Sequence, residues 1–391
     1  MTMQNEMIRH LHEVILPFWK NLKDDVNGGY IGFMGQDLVP QPDRERGCIL
    51  NSRILWFFSE AVCTLGDASL LPYAHHAYDM LLRMTDKENG GVYWSMNPDG
   101  TVCDSTKHTY NIAFAIYALS TYYRASGREE ALENAMELFQ VIEEKCTDDV
   151  SYVEASSADF GPVSNEKLSE NGVMADKTMN TLLHLLEAYT ELYRVTGNEQ
   201  VKARLYFILD IVEKKIYNPE KHRQEVFFDR NYNSLLDMHS YGHDIETSWL
   251  ADRTLEILDD DALTARIRPM LMDMAAETYR VAFTDHGFCN ECVRGEVDKN
   301  RIWWVQAEAL LGFLNAYEKT GEKRYLEASR SLWQFIAKYV ADSRPGSEWF
   351  WMVDENGKPH PTKPIVEPWK CPYHNGRMMF EVIRRKAGKE L

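Results

Sequence analysis

Basic residues are scarce in this chain: 43 Lys and Arg stand against 60 Asp and Glu, a formal net charge of −17. Nucleic acids and anionic membranes are held by cation clusters that release counterions or meet headgroups, so neither is expected as a partner. Long apolar runs are missing too. The opening stretch "MTMQNEMIRHLHEVILPFW" has no unbroken apolar core, and no run near 18 apolar residues follows; neither a secretory leader nor a membrane span is expected. The 7 cysteines are odd in number. Cys289 and Cys292 form one C-x-x-C without a second Cys or His pair at zinc spacing, so reduced cytoplasmic thiols are the default and a zinc site is not expected. No GxxxxGK[ST] occurs, and no GxGxxG follows a strand-like run, which leaves nucleotide cofactors without support.

What the chain does have is apolar and aromatic bulk, with hydrophobic residues at 45% and 10 Trp, 20 Tyr and 16 Phe, enough for a sizeable core and for stacking on a ligand. A landmark recurs through it: an apolar-periodic helix ends in a turn closed by Gly66, Gly127, Gly197 or Gly321, and a second helix follows. The intervals are 61, 70 and 124 residues. The last is about twice the first, which places one repeat without its glycine near Asp259 to Asp261. Gly- and aromatic-rich stretches such as "NGGVYWSMNPDG" and "HGFCNECVRGEV" separate the helix pairs and read as short strands and turns. Five pairs are visible, and a first helix over about residues 5–22 can pair with a last one over about 375–386. That joining of ends favours an all-α toroid of six helix pairs, an (α/α)6 barrel, over an open solenoid.

The first helix of each pair starts with polar or aromatic residues. In order they are Arg53; His108, Tyr110 and Asn111; Asp176, Asn180 and His184; His243 and Glu246; Trp303, Trp304 and Glu308; His374 and Asn375. In a closed ring these starts converge on one end of the central cavity. Capping and dipole effects explain a lone Asp, Asn or Glu at such a place, but histidine and tryptophan are not cap residues, and the recurrence is the signal. His239 and His243 form an H-x-x-x-H pair that could hold a metal on a continuous helix; Gly242 and the preceding "NYNSLLDMHS" place the helix start near His243 instead.

Tryptophans to stack on pyranose faces, carboxylates and amides for hydroxyls, and several histidines suit sugar chemistry. An inverting glycosidase would use two carboxyls about 6.5–9.5 Å apart, with Asp176, Glu246 and Glu308 as candidates. An epimerase or isomerase would remove the proton α to an open-chain aldehyde. Histidine, with its reference pKa of about 6.5, can be base and acid there, and Arg53 can hold enediolate oxygens. The histidines favour isomerisation.

The segments "ILNSRILWFFSEA", "DKTMNTLLHLLEAYTELYRVTG", "YGHDIETSWL", "IWWVQAEALLGFLNAYEKTG" and "EPWKCPYHNGRMMFEVI" resemble, in order and along nearly the whole chain, those of the cellobiose 2-epimerases within the N-acylglucosamine 2-epimerase superfamily. The resemblance implies an (α/α)6 barrel that reversibly converts the reducing-end glucose of cellobiose, lactose or related β-1,4 disaccharides into mannose, with no metal or nucleotide cofactor. It implies His243 and His374 as the acid/base pair, His184 as an assistant at the reacting carbons, and Arg53 as the enediolate's partner. Asn180, Glu246, Glu308, Trp304 and Trp369 would bind or stack the sugar, with Tyr110 and Phe114 lining the pocket; Asp176 and Trp303 complete the expected binding set. One catalytic domain over residues 1–391, monomeric and cytoplasmic, with a small disaccharide as its only partner, completes the expectation.

Overall fold

Five alternate helices of the chain end in the same way, and the repeat of the fold follows from that turn. In the computed structural model, which describes residues 2–391, α3 (Cys48–Leu65), α5 (Thr109–Ser126), α7 (Met179–Thr196) and α11 (Trp303–Thr320) stop at Gly66, Gly127, Gly197 and Gly321, each left-handed with φ between 61° and 72°. The helix α9 (Tyr241–Leu258) stops at Asp259, also left-handed at φ 51°. This is the repeat expected without its glycine; aspartate is among the few side chains that visit this region readily. The chain then reverses into α4 (Leu71–Met84), α6 (Glu129–Lys145), α8 (Glu199–Ile211), α10 (Asp261–Val281) and α12 (Lys323–Phe335). These five bury one face and present the other to solvent, as amphipathic outer helices do.

The inner helices are buried almost all round. Each packs on the next, α3 on α5, α5 on α7, α7 on α9, α9 on α11, and α11 on α13 (Tyr373–Arg384), and α13 returns to α3. The ring therefore closes. Outside α13 lies α1 (Met3–His10), which runs through a π-helical turn at Leu11–Ile15 into α2 (Leu16–Asn21), so the first and last helices form the sixth pair. This is an (α/α)6 barrel. By length and composition alone α3 could cross a membrane; in the ring it is a core helix whose buried Arg53 and Glu60 are paired with Tyr110 and Arg124.

Short strands staple the rim at the end where the inner helices begin. Arg46–Gly47 pairs with Ser95–Met96, Lys107–His108 with Ala155–Ser156, Lys177–Thr178 with Phe227–Phe228, and Arg301–Ile302 with Met352–Val353. Met238–Ser240 pairs with Glu291–Val293, and a bridge from Met34 to Val366 joins the two ends of the chain. Each staple fixes the entry of an inner helix, and with it the side chains of the first turn.

Close approach within the ring depends on glycine. A Cβ on Gly312 of α11 would lie 2.8 Å from the backbone oxygen of Ile245 on α9 and closer still to the Ile245 side chain. Gly312→Ala is therefore expected to force α9 and α11 apart and to destabilise the fold by about 1–3 kcal/mol, the usual range for an overpacked core. Thermal or denaturant unfolding measures it; an unchanged midpoint would contradict the packing described.

Candidate active site

All six inner helices contribute to one cavity of about 300 Å³ inside the stapled rim, the lower end of the usual size for small-molecule sites. Its walls include Arg53 from α3, Tyr110 from α5, Asn180 and His184 from α7, His243 and Glu246 from α9, Trp303 and Trp304 from α11 and His374 from α13, with Trp369 from the loop before α13. Glu308 lies just behind the wall, fully buried, and Phe114 backs Arg53 and His184, its ring 4.2 Å from the guanidinium and 4.8 Å from the imidazole.

Asp176 does not join them. It is exposed, accepts a hydrogen bond from the Arg230 backbone N–H at 3.0 Å, and precedes the strand Lys177–Thr178. The helix begins only at Met179, capped by Thr178, so Asp176 does not share the face of Asn180 and His184. Three other helix-start residues also turn away, Asn375 among them, its amide donating to Glu348 at 3.1 Å. His108 is itself the cap of α5, accepting from the Tyr110 N–H through Nδ1 at 3.3 Å and bonding Asn165 through Nε2 at 3.0 Å; histidine does cap here, contrary to expectation, because an imidazole nitrogen can accept as a carboxylate does. Asn111 donates to the Tyr93 carbonyl.

His239 and His243 do not converge on a common ligand. His239 lies in the rim strand and pairs through Nε2 with Asp244 at 2.8 Å, whereas His243 Nδ1 meets the Ser240 hydroxyl at 2.7 Å. Glu246, Glu308 and His374 place one ligand atom each within 4.8 Å of one another. The Arg377 guanidinium already bonds both carboxylates of that trio, so the negative charge that would attract a divalent cation is met by a protein cation.

Each histidine is held by a different partner. His374 Nδ1 bonds Glu308 Oε1 at 2.7 Å, with Glu246 at 3.9 Å; His184 Nδ1 bonds Glu187 Oε2 at 3.0 Å. Both His243 and His374 lie against Trp304, with ring centroids 4.8 and 5.4 Å from it. Arg53 donates to the Tyr110 hydroxyl at 2.7 Å and to the Trp369 carbonyl at 3.3 Å.

The electrostatics follow from burial in a crowded cluster. Burial, then the nearby His184, pulls His243 down to about 3. Burial, then the Arg377 and Arg53 guanidiniums, holds His374 well below the ordinary imidazole value. Burial and the neighbouring Glu308 push Glu246 up to about 7 despite Arg377. Glu187 goes the other way, to about 2, because Arg377, His184 and Tyr373 together overcome its burial. One guanidinium serves three carboxylates; burial pushes Glu308 up as it does Glu246, and only Glu187 is held below the ordinary carboxylate range.

Several of these residues escaped sequence reading. Glu187 and Arg377 stand three residues after His184 and His374, as Glu246 does after His243, and residues three apart share a helix face; that spacing was the available signal. Ser240, and the rim pair in which Trp351 Nε1 donates to Glu367 at 3.0 Å, carried none.

Comparison with known proteins agrees with this geometry. Residues 29–376 match the N-acylglucosamine 2-epimerase (GlcNAc 2-epimerase) family. The chain is 48% identical over 384 residues, 98% of its own length and 99% of the other's, to a Ruminococcus albus protein named cellobiose 2-epimerase. The structure of a cellobiose 2-epimerase from Bacillus thermoamylovorans aligns with a TM-score of 0.94 and 41% identity over 98% of this chain and 99% of that one. A D-mannose isomerase structure shares the fold, with a TM-score of 0.83 at 20% identity over 99% of this chain and 98% of that one. The chain belongs to the N-acylglucosamine 2-epimerase family and is a carbohydrate epimerase, an enzyme of the isomerase class.

Proposed function

We propose that the substrate is a β-1,4 disaccharide such as cellobiose, with lactose as a second, and that the reaction inverts C2 of the reducing-end glucose. The observation that carries this reading is the pair His243 and His374, from the separate helices α9 and α13, brought together against one tryptophan beside a buried arginine. After ring opening, one neutral imidazole takes the C2 proton while Arg53 and the Tyr110 hydroxyl steady the enediolate oxygens. The proton returns on the opposite face, from the second histidine or from the first after the planar intermediate turns. Glu246, 3.9 Å from His374 and holding a proton near neutrality, can supply the acid. His184 assists at the reacting carbons from the α7 side. Asn180 Oδ1 and Glu246 Oε2 are buried without a partner, and a substrate hydroxyl satisfies such atoms. Trp303, Trp304 and Trp369 give the sugar its apolar faces. The whole ring acts as one catalytic domain, monomeric, needing no cofactor, in the cytoplasm, where its free cysteines stay reduced.

The two other sugar chemistries lead to different products. A ketose from mannose would be the sign of an isomerase, the activity named for relatives 23% identical. A glycosidase would release glucose, but Glu246 and Glu308 share one guanidinium on the same side and cannot flank a glycosidic bond with a water between them, as inversion requires. Incubation with cellobiose and chromatography of the products is the test: glucosyl-mannose in excess of ketose supports the proposal, and dominant ketose or free glucose overturns it.

The depressed histidines also give a sign to the pH profile. A base works when unprotonated, so activity is lost only as the pH falls through its lowered value. The acid limb of kcat/KM is therefore expected below pH 6, and a limb centred at about 6.5, the ordinary histidine value, would contradict the assignment.

A further inference from the structure

Arg377 is fully buried, does not itself line the cavity, and lies beneath Glu246 and His374, which do. Its two terminal nitrogens face different helices. Nη1 donates to Glu187 of α7 at 2.5 Å and to the Tyr373 hydroxyl; Nη2 donates to Glu308 of α11 at 2.7 Å and to Glu246 of α9. The plane of the fork lies against Trp249, 4.9 Å from its ring. Glu308 is further fixed by the Trp249 Nε1 donor at 3.0 Å.

Resting on the reaction proposed above, we propose that Arg377 is a positioning residue for proton transfer: one guanidinium pins Glu187 and Glu308, the carboxylates bonded to Nδ1 of His184 and His374, so that both rings turn a bare Nε2 to the substrate. An ionised carboxylate only accepts, so the Nδ1 it meets carries the hydrogen; at His374 the Glu308 contact of 2.7 Å outweighs that of Arg377 Nη2, 3.5 Å from the same nitrogen. Among the described residues Nε2 of neither ring has a hydrogen-bond partner, and both rings line the cavity. His243 differs, because its Nδ1 partner is the Ser240 hydroxyl, which can donate or accept and imposes no tautomer. Arg377 thus orders two of the three histidines and leaves the third free to hold either form. Lysine cannot replace it: a point charge with three donors does not span carboxylates on separate helices as a planar fork does.

The groups facing His374 from the packed elements are Glu246, Glu308, Arg377, Arg53, His184 and His243, so a pH profile alone would mix their effects. The test combines kinetics with histidine nitrogen NMR, which reads the tautomer of each ring without substrate. In the wild-type enzyme His184 and His374 are expected as the Nδ1–H form. R377K is expected to lose at least ~100-fold in kcat on cellobiose with KM within ~3-fold, the signature of an interaction used in the transition state, and to shift the acid limb and mix the tautomers of both rings. E187Q, which leaves Arg377 on Glu308, is expected to release His184 alone, and it serves if R377K does not fold. Nε2–H on both rings in the wild type, R377K within ~3-fold of wild-type kcat, or unmixed His184 in E187Q would overturn the proposal. A wild-type enzyme inert toward cellobiose would instead overturn the proposed reaction, with the tautomers still readable.

Discussion

His374→Ala is expected to lower kcat/KM for cellobiose epimerisation by about 10³-fold or more, within the 10²–10⁴ range of a positioned general acid or base, while the barrel stays folded. The fold survives because Glu308, left without its imidazole, keeps the Arg377 guanidinium and the Trp249 indole N–H, so no buried carboxylate is stranded. The rate does not survive because nothing else in the wall combines a free basic nitrogen, a carboxylate behind it and a place against Trp304. Product analysis gives the rate and circular dichroism the fold; a folded variant within tenfold of wild type would remove His374 from the proton path.

Arg53→Met should cost about 10²–10³-fold in kcat, or ~3–4 kcal/mol, as for the loss of one preorganised donor to a developing oxyanion, with a smaller change in KM. Arg53 is almost wholly buried and enclosed by the Phe114 and Tyr373 rings at 4.2 and 4.8 Å, so its charge acts in a medium with little water. A methionine fills the space without the charge. Steady-state kinetics on cellobiose decides: an effect confined to KM would make Arg53 a ground-state binding residue with no part in stabilising the enediolate.

The ring was legible because its determinants are local. Glycine turns, one aspartate among them, mark the end of five inner helices, and the polar residues at helix starts give the direction in which the barrel opens. Asp176 was misplaced for a reason of the same kind: a carboxylate four residues before Asn180 shares its face only if the helix reaches back that far, and the strand Lys177–Thr178 stops it. His108 was read as facing the cavity because histidine seldom caps, yet its ring accepts the Tyr110 N–H. Arg377 and Glu187 were hidden by the opposite fault. The three-residue spacing that relates His243 to Glu246 holds equally for His184 and Glu187 and for His374 and Arg377, but a buried arginine beneath three carboxylates is visible only when α7, α9, α11 and α13 are in place. The tie from Ser240 to His243 depends on the rim strand's register, which side-chain periodicity does not specify over so short a strand.

Incubation with cellobiose in D2O, followed by NMR of the disaccharide pool, bears most directly on the central claim that His243 and His374 move the C2 proton through an enediolate. Glucosyl-mannose is expected to carry deuterium at C2 of its reducing-end ring, with label also entering C2 of the remaining cellobiose and with neither event in the H374A enzyme. Epimer formed with C2 hydrogen fully retained from substrate, or label and product persisting without His374, would contradict that claim.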